Sequence, residues 1–144
     1  MEQAAEVKRD DYHYFLTLAT RWMDNDSYGH VNNVTYYSYF DTVTNHYLVK
    51  HGDLNIQTSP IVGFVVASSC EYVAPISFPD VIDAALRVDR LGNSSVQYGV
   101  AIFKEGQSQA AAYGTFTHVF VERETNQSVL IPPTLRAALM SLID

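Results

Sequence analysis

Cysteine is nearly missing from this chain. Cys70 stands alone, so no intrachain disulfide can form, which fits a reducing, cytoplasmic setting. It reads as a small buried residue within a strand rather than a nucleophile. Positive charge is scarce too, with nine lysines and arginines against sixteen acidic residues and a formal net charge of −7. That balance argues against nucleic acid or an anionic membrane surface as the main partner. No apolar run is long enough to span a bilayer, and the opening Met1-Glu2-Gln3-Ala4-Ala5-Glu6 does not read as a signal peptide. Repeats, low-complexity tracts and internal linkers are not found either, so the 144 residues point to one domain over 1–144. Residues 1–12 are polar and charged, and are expected to be loosely ordered.

What the chain does have is a hydrophobic fraction of 47% and a heavy aromatic load, ten tyrosines and seven phenylalanines, which strands and interfaces absorb well. Tyr14, Leu16 and Leu18 alternate with Phe15, Thr17 and Ala19, the period of a first strand. From about Asn33 to Lys50 the period becomes helical. Tyr36, Phe40, Val43 and Tyr47 form a stripe that Tyr37, Tyr39 and Leu48 widen, with Gly52 as the C-terminal stop. So wide a face predicts a helix cradled by a curved sheet. After Pro60 the chain turns strand-like. Ile61 to Val73 is almost continuously apolar or small, which predicts a strand covered on both faces. Pro75 and Pro79 mark a bend. Ile82, Ala84, Leu86 and Val88 then alternate with Asp83, Ala85, Arg87 and Asp89. Turns at Leu91-Gly92-Asn93-Ser94 and Lys104-Glu105-Gly106-Gln107 separate this strand from Val96–Ile102 and from Ala110–Glu122. Pro132 and Pro133 open a short helix carrying Leu135, Leu139 and Leu142. A run of antiparallel strands beside one long helix is an α+β domain.

The densest chemistry lies between the first strand and the long helix: Arg21-Trp22-Met23-Asp24-Asn25-Asp26-Ser27-Tyr28-Gly29-His30-Val31-Asn32-Asn33. Asn32 or Asn33 can cap the helix, leaving backbone N–H groups aimed at something electron-rich. A carboxylate facing such donors combines a base or nucleophile with a polarising site for a carbonyl oxygen. Asp24 and Asp26 could equally hold the loop through bonds to its own backbone. Together with His30 they also suggest a metal set, but no second histidine lies at helical spacing.

The run Arg-Trp-x-Asp-x-Asp-x-x-Gly-His-Val-Asn-Asn-x-x-Tyr, followed by Tyr39-Phe40-Asp41, resembles the signature of hotdog-fold acyl-CoA thioesterases of the 4-hydroxybenzoyl-CoA thioesterase family. The resemblance implies a single hotdog domain, an antiparallel sheet of about five strands around one long helix, with a short C-terminal helix. It implies hydrolysis of an acyl-CoA thioester, with Asp26 as base or nucleophile. Gly29 would allow close approach, and backbone amides from His30 through Val31, Asn32 and Asn33 would polarise the carbonyl. His30 either orients the carboxylate or its water, or is a packed histidine. Asn33 stands where some relatives carry histidine. Asp24 is expected to order the loop, and Tyr36 to line the acyl pocket or simply to pack. The turn with Arg90, Asn93, Ser94 and Ser95 would lie near coenzyme A; Arg87 and Arg90 before that turn and Lys104 on the next strand either gather its phosphates or are scattered solubilising charges. No cofactor or metal is implied, coenzyme A being part of the substrate. A homodimer or homotetramer is implied, with a partner's strand near Gly63 to Ser69 bordering the pocket. The rival readings are a hotdog enoyl-CoA hydratase or dehydratase, and a non-catalytic acyl-CoA binding protein.

Overall fold

The computed structural model describes residues 6–143. Its elements are β1 (Tyr14–Ala19), α1 (Asn33–His51), β2 (Ile61–Tyr72), β3 (Val81–Leu91), β4 (Ser95–Lys104), β5 (Ala112–Glu122) and α2 (Pro133–Met140), with single 3-10 turns at Arg9–Asp11 and Trp22–Asp24. All neighbouring strands are antiparallel, and the sheet order is β1-β3-β4-β5-β2. The sheet wraps α1 in the hotdog arrangement. Among the described residues no helix is long and apolar enough to cross a membrane.

Strand alternation places Ile82, Ala84, Leu86 and Val88 on the face that meets α1, with Val96, Tyr98, Val100 and Ile102 beside them on β4. The helix answers with Tyr36, Tyr39, Phe40, Val43, Tyr47 and Leu48, all buried. Gly52 follows as the C-cap, its N–H donating to the Leu48 carbonyl. The core therefore lies between one helical stripe and one sheet face, as the period predicts.

Two expectations need correcting. Val7–Tyr12 is not loose: the Val7 carbonyl accepts the Ala110 N–H, and Tyr12 is buried in a second cluster with Ala85, Ala101, Phe103 and Ala110. Arg9 clasps the strap, bonding Asp83, the Gln107 carbonyl and the Lys104 carbonyl while lying over the Phe103 ring. Its apolar stem and flat guanidinium let a charged residue cover apolar surface. Residues 1–5 of the stretch expected to be loose lie outside the described residues.

The second correction concerns β2, which is not covered on both faces. It is an edge strand, and Phe64, Val65, Val66 and Tyr72 are all exposed. An unpaired apolar edge has the same composition as a doubly buried strand, so periodicity alone does not separate them. A bulge between Val65 and Ala67 interrupts its pairing with β5.

Ala19, Val81, Lys104, Ala112 and Tyr72 share one end of the sheet, and Leu91, Ser95, Glu122 and Ile61 share the other. The loop from Thr20 to Asn32 leaves from the first end.

Candidate active site

The loop is built from the backbone outward. Thr20 donates twice to the Asp80 carbonyl, from its N–H (3.2 Å) and its hydroxyl (2.5 Å). The Asn25 side chain accepts the Phe78 N–H, which stitches the loop to the segment joining β2 and β3. Asn25 and Val31 then pair as an isolated bridge, and the Asp26 N–H donates to the His30 carbonyl at 2.8 Å. The hairpin between them is tight enough to need a left-handed residue, and Gly29 supplies it at φ 85. One oxygen of Asp26 accepts the Tyr28 N–H at 2.9 Å, and the other has no partner among the described residues. The carboxylate is half-buried on the wall of a hollow of about 670 Å³, beside Trp22, Met23, Asn25, Ser27 and Gly29.

Asn32 caps α1: its side chain accepts the Val34 N–H and its carbonyl the Thr35 N–H. Such a cap contributes about 1 kcal/mol. It also narrows the expected row of polarising amides. Val31 N–H donates to the Ile76 carbonyl at 2.7 Å, and Asn32 N–H to the Asp24 carbonyl at 2.8 Å, so neither is open to a ligand. The fold needs these two bonds to hold loop, linker and helix together. Among the described residues, His30 N–H and Asn33 N–H alone of the four have no acceptor. Asn33 lies in the first turn, where the positive end of the helix dipole adds to its N–H.

A second hollow of about 290 Å³ opens at this helix start, between His30, Asn33, Tyr36, Tyr72, Val73 and Pro75. Tyr36 is buried and packs edge-on against Tyr72 at 5.0 Å. Burial pushes its phenol up to about 12. Tyr72, which sequence reasoning did not single out, donates to the Asn33 carbonyl at 3.0 Å. The exposed Trp22, with Phe78 edge-on at 5.9 Å, was likewise not singled out as a site residue. Cys70 is half-buried, and burial pushes its thiol up to about 11, away from the thiolate form.

Asp24 is buried and committed. Its carboxylate accepts the Arg21 backbone N–H, the Arg21 guanidinium (2.9 and 3.1 Å) and the Tyr39 hydroxyl (2.7 Å). Burial opposes its ionisation, but the Arg21 N–H, the Tyr39 hydroxyl and the Arg21 charge outweigh it and hold the carboxyl below its ordinary range. Each bond to that charge contributes on the order of 1.5–3 kcal/mol. Among the described residues no group of three His, Cys, Asp or Glu side chains is placed to hold a metal.

Of the residues expected to meet coenzyme A, only Lys104 is near this loop within one chain. Arg90, Asn93, Ser94 and Ser95 sit at the other end of β3, about 30 Å away at the rise of an extended strand. The Asn93 and Ser94 carbonyls fasten Ile131 and Phe120, and the exposed Arg90 side chain has no partner among the described residues. Arg87 is bound to Asp89 and the Asp11 carbonyl over the Tyr12 ring, on the outer face. Lys104 is at the loop's end of the sheet, 3.9 Å from Asp80.

Residues 20–139 match the profile of the Thioesterase-like superfamily. Among solved structures, the PA5185 protein from Pseudomonas aeruginosa strain PAO1 is 54% identical, over 97% of this chain and 98% of that one, with a TM-score of 0.96. The PA2801 protein from Pseudomonas aeruginosa is 27% identical over 86% of this chain and 95% of that one, with a TM-score of 0.81. Slr0204, a 1,4-dihydroxy-2-naphthoyl-CoA thioesterase from Synechocystis, shares the fold at 16% identity, over 90% of this chain and 96% of that one, with a TM-score of 0.80. No match among curated proteins accompanies these likenesses.

Proposed function

Because the chain belongs to the thioesterase-like superfamily, we propose that it hydrolyses an acyl-CoA thioester to a free acid and coenzyme A, with Asp26 as the reacting carboxylate. One loop carries an uncommitted carboxylate oxygen at its turn and an uncommitted N–H at its end, and that pairing supports hydrolysis most directly.

The thioester carbonyl lies across the loop, its oxygen taking the Asn33 N–H and its carbon reached from the Asp26 side. As the carbon becomes tetrahedral, negative charge gathers on that oxygen, where a fixed donor at a helix start is most effective. Asp26 serves in one of two ways. It draws a proton from water, whose oxygen then adds to the carbon, and the proton follows to sulfur as the C–S bond breaks. Alternatively its own oxygen adds, coenzyme A departs as thiolate, and water cleaves the resulting mixed anhydride. Tyr36 and Tyr72 give the acyl group an aromatic wall beside Asn33.

The working unit is a homo-oligomer. The β2 edge, carrying Phe64, Val65 and Val66, pairs antiparallel with the same edge of a second copy. A twofold of that kind lays the far end of one sheet beside the loop of the other. Arg90, Asn93, Ser94 and Ser95 of the partner subunit then meet the phosphates of the coenzyme A whose thioester faces Asp26.

The test is a panel of acyl-CoA substrates with a thiol reagent. Release of thiol from saturated acyl-CoA is the expected outcome. Water addition to enoyl-CoA alone would make the protein a hydratase, and binding without turnover across the panel would make it a binding protein.

A further inference from the structure

Asp24 takes no chemical part in the reaction proposed above, yet it is the only buried carboxylate among the described residues. Taking a carboxylate out of water is unfavourable, and neutral groups can fasten a loop without it. What sets Asp24 apart is where its bonds lead. Its main-chain carbonyl accepts the N–H of Asn32, the residue that caps α1, at 2.8 Å. Its side-chain Oδ2 accepts the hydroxyl of Tyr39, from within α1, at 2.7 Å. Asp24 thus grips the helix at two points along its axis. Arg21, largely exposed, lies across the carboxylate and balances its charge.

The two groups that would act on the thioester follow directly from those anchors. Asp26 is two residues beyond Asp24, and Asn33 is the residue after Asn32. Within the loop the Asn25–Val31 bridge and the Asp26–His30 bond join their two sides, and Asp24 is what ties that unit to the body of the helix. Without the Tyr39 bond, the main-chain bond to the cap is the one tie left between Asp24 and the helix among the described residues, and the loop can tilt against α1 about that bond.

We propose that Asp24, held by the Tyr39 hydroxyl, is a positioning residue that fixes the distance and angle between the Asp26 carboxylate and the Asn33 N–H. The proposal rests on the reading of Asp26 and Asn33 given above. A misplacement of about 1 Å between reacting groups lowers a rate by on the order of a hundredfold while leaving binding largely intact. A brace that only stabilises the fold has the opposite signature, a lower melting temperature with an unchanged rate on the folded protein.

Tyr39→Phe removes the hydroxyl and keeps the buried ring. With acyl-CoA as substrate and folding checked by circular dichroism at the assay temperature, kcat should fall about ten- to a hundredfold with KM within about twofold. A kcat within twofold of the unaltered protein overturns the proposal. Should Tyr39→Phe fail to fold, Arg21→Met carries the test from the exposed side of the pair. There kcat should fall at constant KM, Arg21→Lys should recover part of it, and an unchanged kcat in Arg21→Met is equally fatal. Asp26→Asn is assayed in parallel. Full activity in Asp26→Asn would remove the reading on which the proposal stands. An inactive Asp26→Asn beside a fully active Tyr39→Phe would remove the positioning role alone.

Discussion

Asp26 keeps one oxygen on the Tyr28 N–H and leaves the other uncommitted, so an isosteric change tests its charge without disturbing the turn. Asp26→Asn should lower kcat by about 10²–10⁴-fold, the range of a positioned acid or base, while the melting curve stays close to that of the unaltered protein. His118 presents a different kind of titration. It is buried on β5 among Tyr98, Phe116 and Phe120, with Nδ1 3.2 Å from the Tyr98 hydroxyl, and burial pushes its imidazole down from 6.5 to about 4. The unfolded chain takes up this proton as the pH falls below 6.5, whereas the folded chain resists it until about 4. Stability is therefore complete above that window and declines through it by roughly 3 kcal/mol. Urea unfolding midpoints between pH 7.5 and 5 should fall in the unaltered protein and change much less in His118→Gln. An equal fall in both would place the acid sensitivity elsewhere. The lowered Asp24 carboxyl acts in a separate window: its stabilisation is present above the ordinary carboxylate range and is lost only as the pH drops through and below it.

At the level of elements, β2 leaves no room for a side chain on β5 at Gly114. A methyl group there would fall inside the contact shell of the Ser69 carbonyl, a main-chain atom that cannot rotate aside. Gly114→Ala should destabilise the domain by about 1–3 kcal/mol, read as a lower melting temperature; an unshifted melt would mean that the ladder gives way there at little cost. The elements themselves were largely legible. Tyr36, Phe40, Val43 and Tyr47 announced α1, and the alternation from Ile82 to Val88 announced β3, because each period reports a buried face. The strap at Val7–Tyr12 was not legible, since an arginine covering an aromatic ring resembles a solvated charge until the ring beneath it is known. The site divides in the same way. The cap at Asn32 could be read from residue types, and Asp26 enters only through the family resemblance, but the commitment of Val31 and Asn32 N–H depends on main-chain acceptors at Ile76 and Asp24 that no side-chain pattern encodes.

For the whole molecule, the proposed assembly builds each site from two copies, since Arg90, Asn93, Ser94 and Ser95 lie at the end of the sheet away from Asp26 within one chain. Val65→Lys puts a charge on the exposed edge of β2 and should yield monomers by sedimentation, with hydrolysis lost although Asp26 is untouched. A fully active monomer would mean that one chain suffices. The edge that would receive a second copy also shapes the pocket of its own chain, through the irregularity at Val66. Ahead of it Gly63 and Val65 stand opposite Phe120 and His118; beyond it Ser68, Cys70 and Tyr72 stand opposite Phe116, Gly114 and Ala112. That single surplus residue advances the strand by half a period. In a strand that kept its phase, Tyr72 would emerge on the convex side of the sheet. Tyr36 would then lose its neighbour and the mouth above the helix its aromatic flank.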